Sequence, residues 1–313
     1  MELVEGILKK DKRSAARLIT LIEREDPKAV DALKKLYKYT GNSYIIGITG
    51  PPGAGKSSLV NELAKRMRAK GKTVGIIAVD PTSPFTGGAL LGDRIRMQDL
   101  TLDPGIFIRS MASRGSLGGI AKATYDAINV LDAFGMDYII VETVGVGQTE
   151  IDIVKVADTV VVVLVPGLGD DVQAIKAGIM EIADIFAVNK ADREGADKLV
   201  TEIEMMLDLS QKEFLMRPPI IKTVATTGAG VDELEAKLNE HLNFILKEGL
   251  LAQRRKVKAR ENFMELIKFE IGKRIFQEKG QIIETLIDEI FEKNTDPYTA
   301  MEKLLQTIIK GES

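Results

Sequence analysis

The 313-residue chain has no cysteine, no tryptophan and a single histidine, and aromatic residues make up only 5% of it. Without cysteine there is no disulfide, no thiolate nucleophile and no Cys-ligated zinc or iron–sulfur site. With His241 alone, no multi-histidine metal centre can form. In the run "LEAKLNEHLNFILKEG" it reads as a surface or helix-packing residue. An excess of one charge is missing too: 43 Lys+Arg stand against 46 Asp+Glu, a net −3. No global positive field exists to hold a polyanion, so nucleic acid is not an expected partner. The stretch "RRKVKAR" at 254–260 is the one candidate basic patch. No apolar run approaches the ~20 residues needed to cross a bilayer. The acid-bearing start "MELVEGILKKDKRSAARL" does not read as a signal peptide. No membrane association is expected, and the expected location is cytoplasmic.

What is present is a change of periodicity. Residues 1–42 carry apolar residues at helical spacing (Leu3, Ile7 and Leu8, then Ala16, Leu18, Ile19 and Ile22), and Asp26-Pro27 opens a second helix through Tyr37. From Ser43, short β-rich runs alternate with amphipathic segments: "YIIGITG", "TVGIIAVDP", "GIFIRSMA", "DYIIVETVG", "TVVVVLVPG", "IFAVNKAD" and "IIKTVATTG". Several are continuously apolar, as strands covered on both faces must be. This predicts an α/β domain over 43–246: a doubly wound, mostly parallel sheet flanked by helices, with ligands at the carboxyl ends of its strands. After 246 the strands stop, and 247–313 reads as helices rich in Lys and Glu with apolar stripes. Such a tail can fold back as a cap or pack as an arm against a second subunit, and the residues alone leave both open.

The motif "GPPGAGKS" fits G-x-x-x-x-G-K-[ST] between an apolar run and a helical one, the context of a P-loop NTPase. It comprises Gly50, Pro51, Pro52, Gly53, Ala54, Gly55, Lys56 and Ser57, and Ser58 continues into the helix. Glycines let backbone N–H groups turn toward phosphates, and the helix N-terminus adds positive potential. Lys56 can neutralise β/γ oxygens and the Ser57 hydroxyl can ligate Mg²⁺. Three acids are candidates for the metal side: Asp80 ending "VGIIAVD", Glu142 ending "YIIVE", and Asp93 in "GALLGDRIRM". Each could instead be a helix cap or salt-bridge acid. "ETVGVGQ" has the form of a γ-phosphate sensor, D-x-x-G with Glu for Asp. Gly145 would offer its N–H to that phosphate. Gln148 reads either as orienting an attacking water or as making a structural hydrogen bond.

Further on, "NKAD" supplies Asn189, Lys190 and Asp192 after an apolar strand, the N-K-x-D pattern of guanine readers. A carboxylate at Asp192 can accept from both guanine N1–H and N2–H₂, whereas adenine offers an acceptor at N1. The stem of Lys190 would lie over the base. "VATTG", with Ala225 and Thr226, fits a loop whose backbone reaches the guanine O6.

Taken in order, "GPPGAGKSSL", "AVDPTSP", "LLGDRIRM", "ETVGVGQTE", "VPGLGDDVQAIKAG" and "NKAD" make the chain similar to the MeaB/ArgK/MMAA family of SIMIBI-class P-loop GTPases, along essentially its whole length. The resemblance implies a GTP-hydrolysing chaperone with GTP/GDP and Mg²⁺ as ligands. Such a chaperone gates cofactor loading of, and protects, an adenosylcobalamin-dependent acyl-CoA mutase, chiefly methylmalonyl-CoA mutase. It implies a homodimer built through C-terminal helical arms. It also implies a partner-responsive switch at 166–178, where Lys176 would act on hydrolysis; by itself Lys176 reads as a solvated helix lysine. Two alternatives are a metallochaperone-type GTPase, which would lack Cys and His clusters for its cargo, and an ATPase or kinase linked to lysine/arginine/ornithine transport.

Overall fold

A computed structural model describes residues 2–81, 98–113, 122–143, 152–167, 179–210 and 214–309. Among these residues, seven parallel strands form one sheet: β1 (Tyr44–Thr49), β2 (Val74–Pro81), β3 (Ile106–Ser113), β4 (Tyr138–Thr143), β5 (Thr159–Leu164), β6 (Ile185–Asn189) and β7 (Ile220–Thr223), in the order β3-β2-β4-β1-β5-β6-β7. All seven β-rich runs are therefore strands. The chain winds outward from β1 to one side, returns through β4, then winds to the other side. The reversal places the ligand crevice at the carboxyl ends of β4, β1 and β5.

Alternating side chains of β5 serve two apolar layers. Val160, Val162 and Leu164 join one, while Val161 and Val163 join the other. The first layer is completed by α1 (Glu2–Leu8), α2 (Lys12–Glu23), α3 (Pro27–Leu36), α6 (Lys122–Phe134) and α8 (Ala196–Leu209), through residues such as Ile7, Leu18, Ala32, Leu131 and Ile203. The second is completed by α4 (Lys56–Ala69) and α9 (Val231–Lys247), through Leu59, Leu63, Leu234 and Leu238. Short helices α5 (Gln98–Thr101) and α7 (Ile179–Ile182) lie between strands.

The N-terminal segment differs from expectation. It holds three helices rather than two, because Lys10 takes a left-handed φ of 62° and Asp11 caps α2 by accepting the Arg13 and Ser14 N–H groups. An Asp that satisfies two unpaired helix donors ends one helix and starts the next even where apolar spacing continues. The buried carboxylate of Asp132 on α6 accepts the N–H groups of Gly41, Asn42 and Ser43, which aims the chain into β1.

Two compact units are present, residues 1–258 and 259–313. The helix α10 (Leu250–Phe291) begins in the first, and three of its basic residues there are engaged by acids. Arg254 binds Asp184 at 2.9 Å, while Arg255 and Lys258 bind the fully buried Asp158 at 2.7 and 2.8 Å. His241 is buried as a packing residue. Its Nδ1 lies 2.7 Å from the Thr159 hydroxyl and its Nε2 3.3 Å from Asp184. The second unit contains the rest of α10, interrupted at Lys279, and α11 (Pro297–Ile309). It exposes Phe263, Phe276, Phe291 and Tyr298.

Burial alone would push the Asp158 carboxyl up, but Lys258 and Arg255 outweigh it and hold it below the usual carboxylate range. Asp184 is likewise held down, against burial, by His241 and Arg254. A depressed carboxylate contributes stability that is fully present above its unfolded value, about pH 4, and lost as pH falls through its folded value. Stability is therefore expected to hold from neutral pH to about 5 and to fall below about 4. Asp158→Ala is expected to cost about 3 kcal/mol at neutral pH, because it leaves Lys258 buried and uncompensated. It should also flatten the acid fall. Urea unfolding of both proteins at neutral and acid pH measures this, and a loss under about 1 kcal/mol would match a surface pair instead.

Candidate nucleotide site

At the carboxyl end of β1 the chain turns sharply at Gly50, whose φ is 140°. A Cβ there would sit 2.1 Å from the Val163 carbonyl oxygen, so only glycine lets the loop leave the sheet against β5. Gly55 then caps α4 at φ 83°, and a Cβ on it would stand 2.5 Å from the Asn189 amide nitrogen. The first-turn N–H groups of a helix have no acceptor within it, and their dipole favours an anion. Lys56 opens that helix, buried, with Nζ donating to the Gly50 and Pro51 carbonyls at 2.8 and 3.0 Å. Its ammonium is thereby fixed across the inside of the loop.

Next along α4, the buried Ser57 hydroxyl donates to Glu142 Oε1 at 2.6 Å, from helix start to the end of β4. A hydroxyl and a carboxylate, both hard oxygens, suit Mg²⁺, which takes few protein ligands and fills its octahedron with phosphate and water. Asp80 lies on β2 two positions beyond Ala78, the residue in register with Glu142. Asp93, Gly145, Gln148 and Lys176 lie outside the described residues.

On the base side, β6 ends at the buried Asn189, which ties three segments together. Its Nδ2 donates to the Ala54 carbonyl at 2.8 Å, and its Oδ1 accepts from Ala225 N at 3.1 Å and Thr223 Oγ1 at 3.3 Å. Lys190, at a left-handed φ of 56°, sends Nζ to the Gly53 carbonyl at 2.7 Å, so its stem runs from the base loop to the phosphate loop. Asp192 is exposed, and Ala225 is buried in the turn closed by the Val224–Ala229 bridge, where Thr226 faces outward. The candidates 50–58, Glu142, 189–192 and 225–226 thus converge on one end of the sheet. The tie through Asn189 was not legible beforehand: in "NKAD" that residue reads as part of the base reader, with nothing to show its bond to the phosphate loop.

The family model for MeaB, described as methylmalonyl Co-A mutase-associated GTPase, matches residues 15–280. The chain belongs to the MeaB family. As a MeaB-family protein it is a P-loop GTPase that binds GTP and GDP and hydrolyses GTP. It is similar to a Pyrococcus horikoshii protein given a GTPase name, at 56% identity over 98% of each chain. The mitochondrial methylmalonic aciduria type A homolog of Caenorhabditis elegans is 31% identical over 98% of this chain and 82% of its own. Among solved structures, one titled LAO/AO transport system kinase superposes with a TM-score of 0.74 at 24% identity, covering 98% of this chain and 96% of that one, and shares the fold. No helix among the described residues is long and apolar enough to cross a membrane.

Proposed function

We propose that this GTPase is a chaperone of an adenosylcobalamin-dependent acyl-CoA mutase, most simply methylmalonyl-CoA mutase, and that its nucleotide state gates cofactor loading and protects the mutase. The match to a family described as associated with that mutase, over 15–280, carries the reading. The naming of the nematode relative supports it.

In this reading, Lys56 and the N–H groups of residues 53–58 hold the β- and γ-phosphates, and Pro51, Pro52 and Ala54 shape the loop around them. Ser57 and Glu142 hold Mg²⁺, with Asp80 and Asp93 on the same side. That ion would withdraw charge from the phosphate oxygens. The Gly145 N–H senses the γ-phosphate. Asp192 selects guanine, Asn189 and Lys190 keep the base loop on the phosphate loop, and Ala225 and Thr226 approach O6. Gln148 orients the attacking water, and Lys176 acts on hydrolysis when a partner docks. Hydrolysis is slow until that partner docks.

The exposed apolar side chains of 259–313 support an arm that buries them in a homodimer. Single-turnover hydrolysis with and without methylmalonyl-CoA mutase tests the reading. Acceleration on the order of 10²-fold or more is expected, since trans-acting groups supply at least that much in related chemistry. An unchanged rate with every cobalamin mutase tried rejects the partner. Sedimentation of the same sample would give a dimer's mass, and a monomer at micromolar concentration rejects the arm.

A further inference from the structure

Across the sheet, at the level where the strands turn into loops, one row of side chains comes from β2, β4, β1 and β5: Val79, Thr143, Thr49 and Val162. The register gives the row. Val79 pairs with Thr143 and Thr49 with Val162, while Ile48 opposite Glu142 puts the two threonines side by side. Both valines belong to the apolar layer facing α6. Both threonines are fully buried, and Thr143 Oγ1 donates to Thr49 Oγ1 at 2.9 Å. Valine has nearly the same shape and would bury here at no polar cost, whereas a hydroxyl must find a partner to be tolerated.

The bond joins two roots of the site. Thr49 immediately precedes Gly50, which the Val163 carbonyl already confines. Thr143 immediately follows Glu142. Successive residues of a strand turn to opposite faces. On one face Glu142 reaches Ser57 at the start of α4; on the other, Thr143 reaches Thr49. The last turn of β4 is thus gripped from both sides of the sheet, and the second grip sets where the carboxylate of Glu142 stands relative to the phosphate loop.

We propose that Thr143, bonded to Thr49, is a positioning residue for the metal side of this GTPase: it acts through Glu142 and has no part in holding phosphate or base. The inference rests on the reading that Ser57 and Glu142 hold Mg²⁺. Outer partners that orient a ligand typically contribute 10–100-fold in metal affinity. A single neutral hydroxyl pair belongs at the low end of that range.

The test compares Thr143→Val and Thr143→Ser with the parent chain by fluorescent GDP binding, in Mg²⁺ titrations and in EDTA, beside GTP turnover. Thr143→Val is expected to raise the half-saturating Mg²⁺ concentration about tenfold. GDP affinity in EDTA should stay near the parent's, the melting temperature should fall by no more than a few degrees for one lost buried hydrogen bond, and Thr143→Ser should restore the Mg²⁺ response. Thr49→Val should give the same shift from the other end of the bond, and serves if the first variant is unstable. The double variant should lose no more than either single one. An unchanged Mg²⁺ response in both valine variants overturns the proposal, as does a loss of GDP affinity in EDTA matching that in Mg²⁺. Glu142→Gln separates the two layers. If it leaves the Mg²⁺ response intact, the metal reading itself fails. If it abolishes the response while both valine variants keep it, only the positioning role fails.

Discussion

Lys56→Ala is expected to lower GTP turnover by about 10³-fold, the upper part of the range for removing one preorganised group that meets charge developing in a transition state. The lysine is buried and its ammonium is already held by the Gly50 and Pro51 carbonyls, so its position is set before nucleotide arrives. No reorganisation is then needed when charge builds on the phosphate oxygens. Lys56→Arg should not rescue. The planar guanidinium is wider than an ammonium and cannot repeat a point-charge contact inside a loop only a few residues across. Turnover at saturating GTP, with GDP affinity and melting temperature measured on the same samples, separates lost chemistry from lost folding. Turnover within about tenfold of the parent, in a folded Lys56→Ala chain, would remove the phosphate loop from the mechanism.

Asp192→Asn should exchange the base that is read. A carboxylate in plane with guanine accepts from N1–H and N2–H₂, each charge-assisted bond contributing about 1.5–3 kcal/mol. An amide keeps one acceptor and turns a donor toward the N2–H₂ group. The affinity for GDP is expected to fall by about 10²–10⁴-fold. Xanthosine diphosphate carries an oxygen where guanine carries that amine, and should bind in its place. The exposed position of Asp192 makes the fold indifferent to the change. Competition binding with guanosine, xanthosine and adenosine diphosphates measures it. Unchanged GDP affinity would mean that another group chooses the base.

The phosphate and base loops were legible in the sequence because each is contiguous and bounded by apolar strands. What each loop leans on was not. Nothing in "GPPGAGKS" says that Val163 stands under Gly50, and nothing in "NKAD" says that Asn189 reaches Ala54, 135 residues away. The stretch 254–260 reads as a basic patch and His241 as a surface or helix-packing residue. Only the packing of α9 and α10 against the starts of β5 and β6 shows that Asp158 and Asp184 engage both. At the N-terminus, apolar spacing ran on across 9–11, and the Asp11 cap broke the helix there.

By itself the amino-acid sequence determined the α/β class, the seven strands and the two nucleotide loops. Each depends on backbone conformations and apolar periods set within a few residues. The tertiary structure alone decided the strand order, the seat of Lys56 between two carbonyls, the Ser57–Glu142 contact and the threonine pair behind it. Those depend on which strands become neighbours, and neighbours in a parallel sheet are chosen by packing helices on both faces across scores of intervening residues.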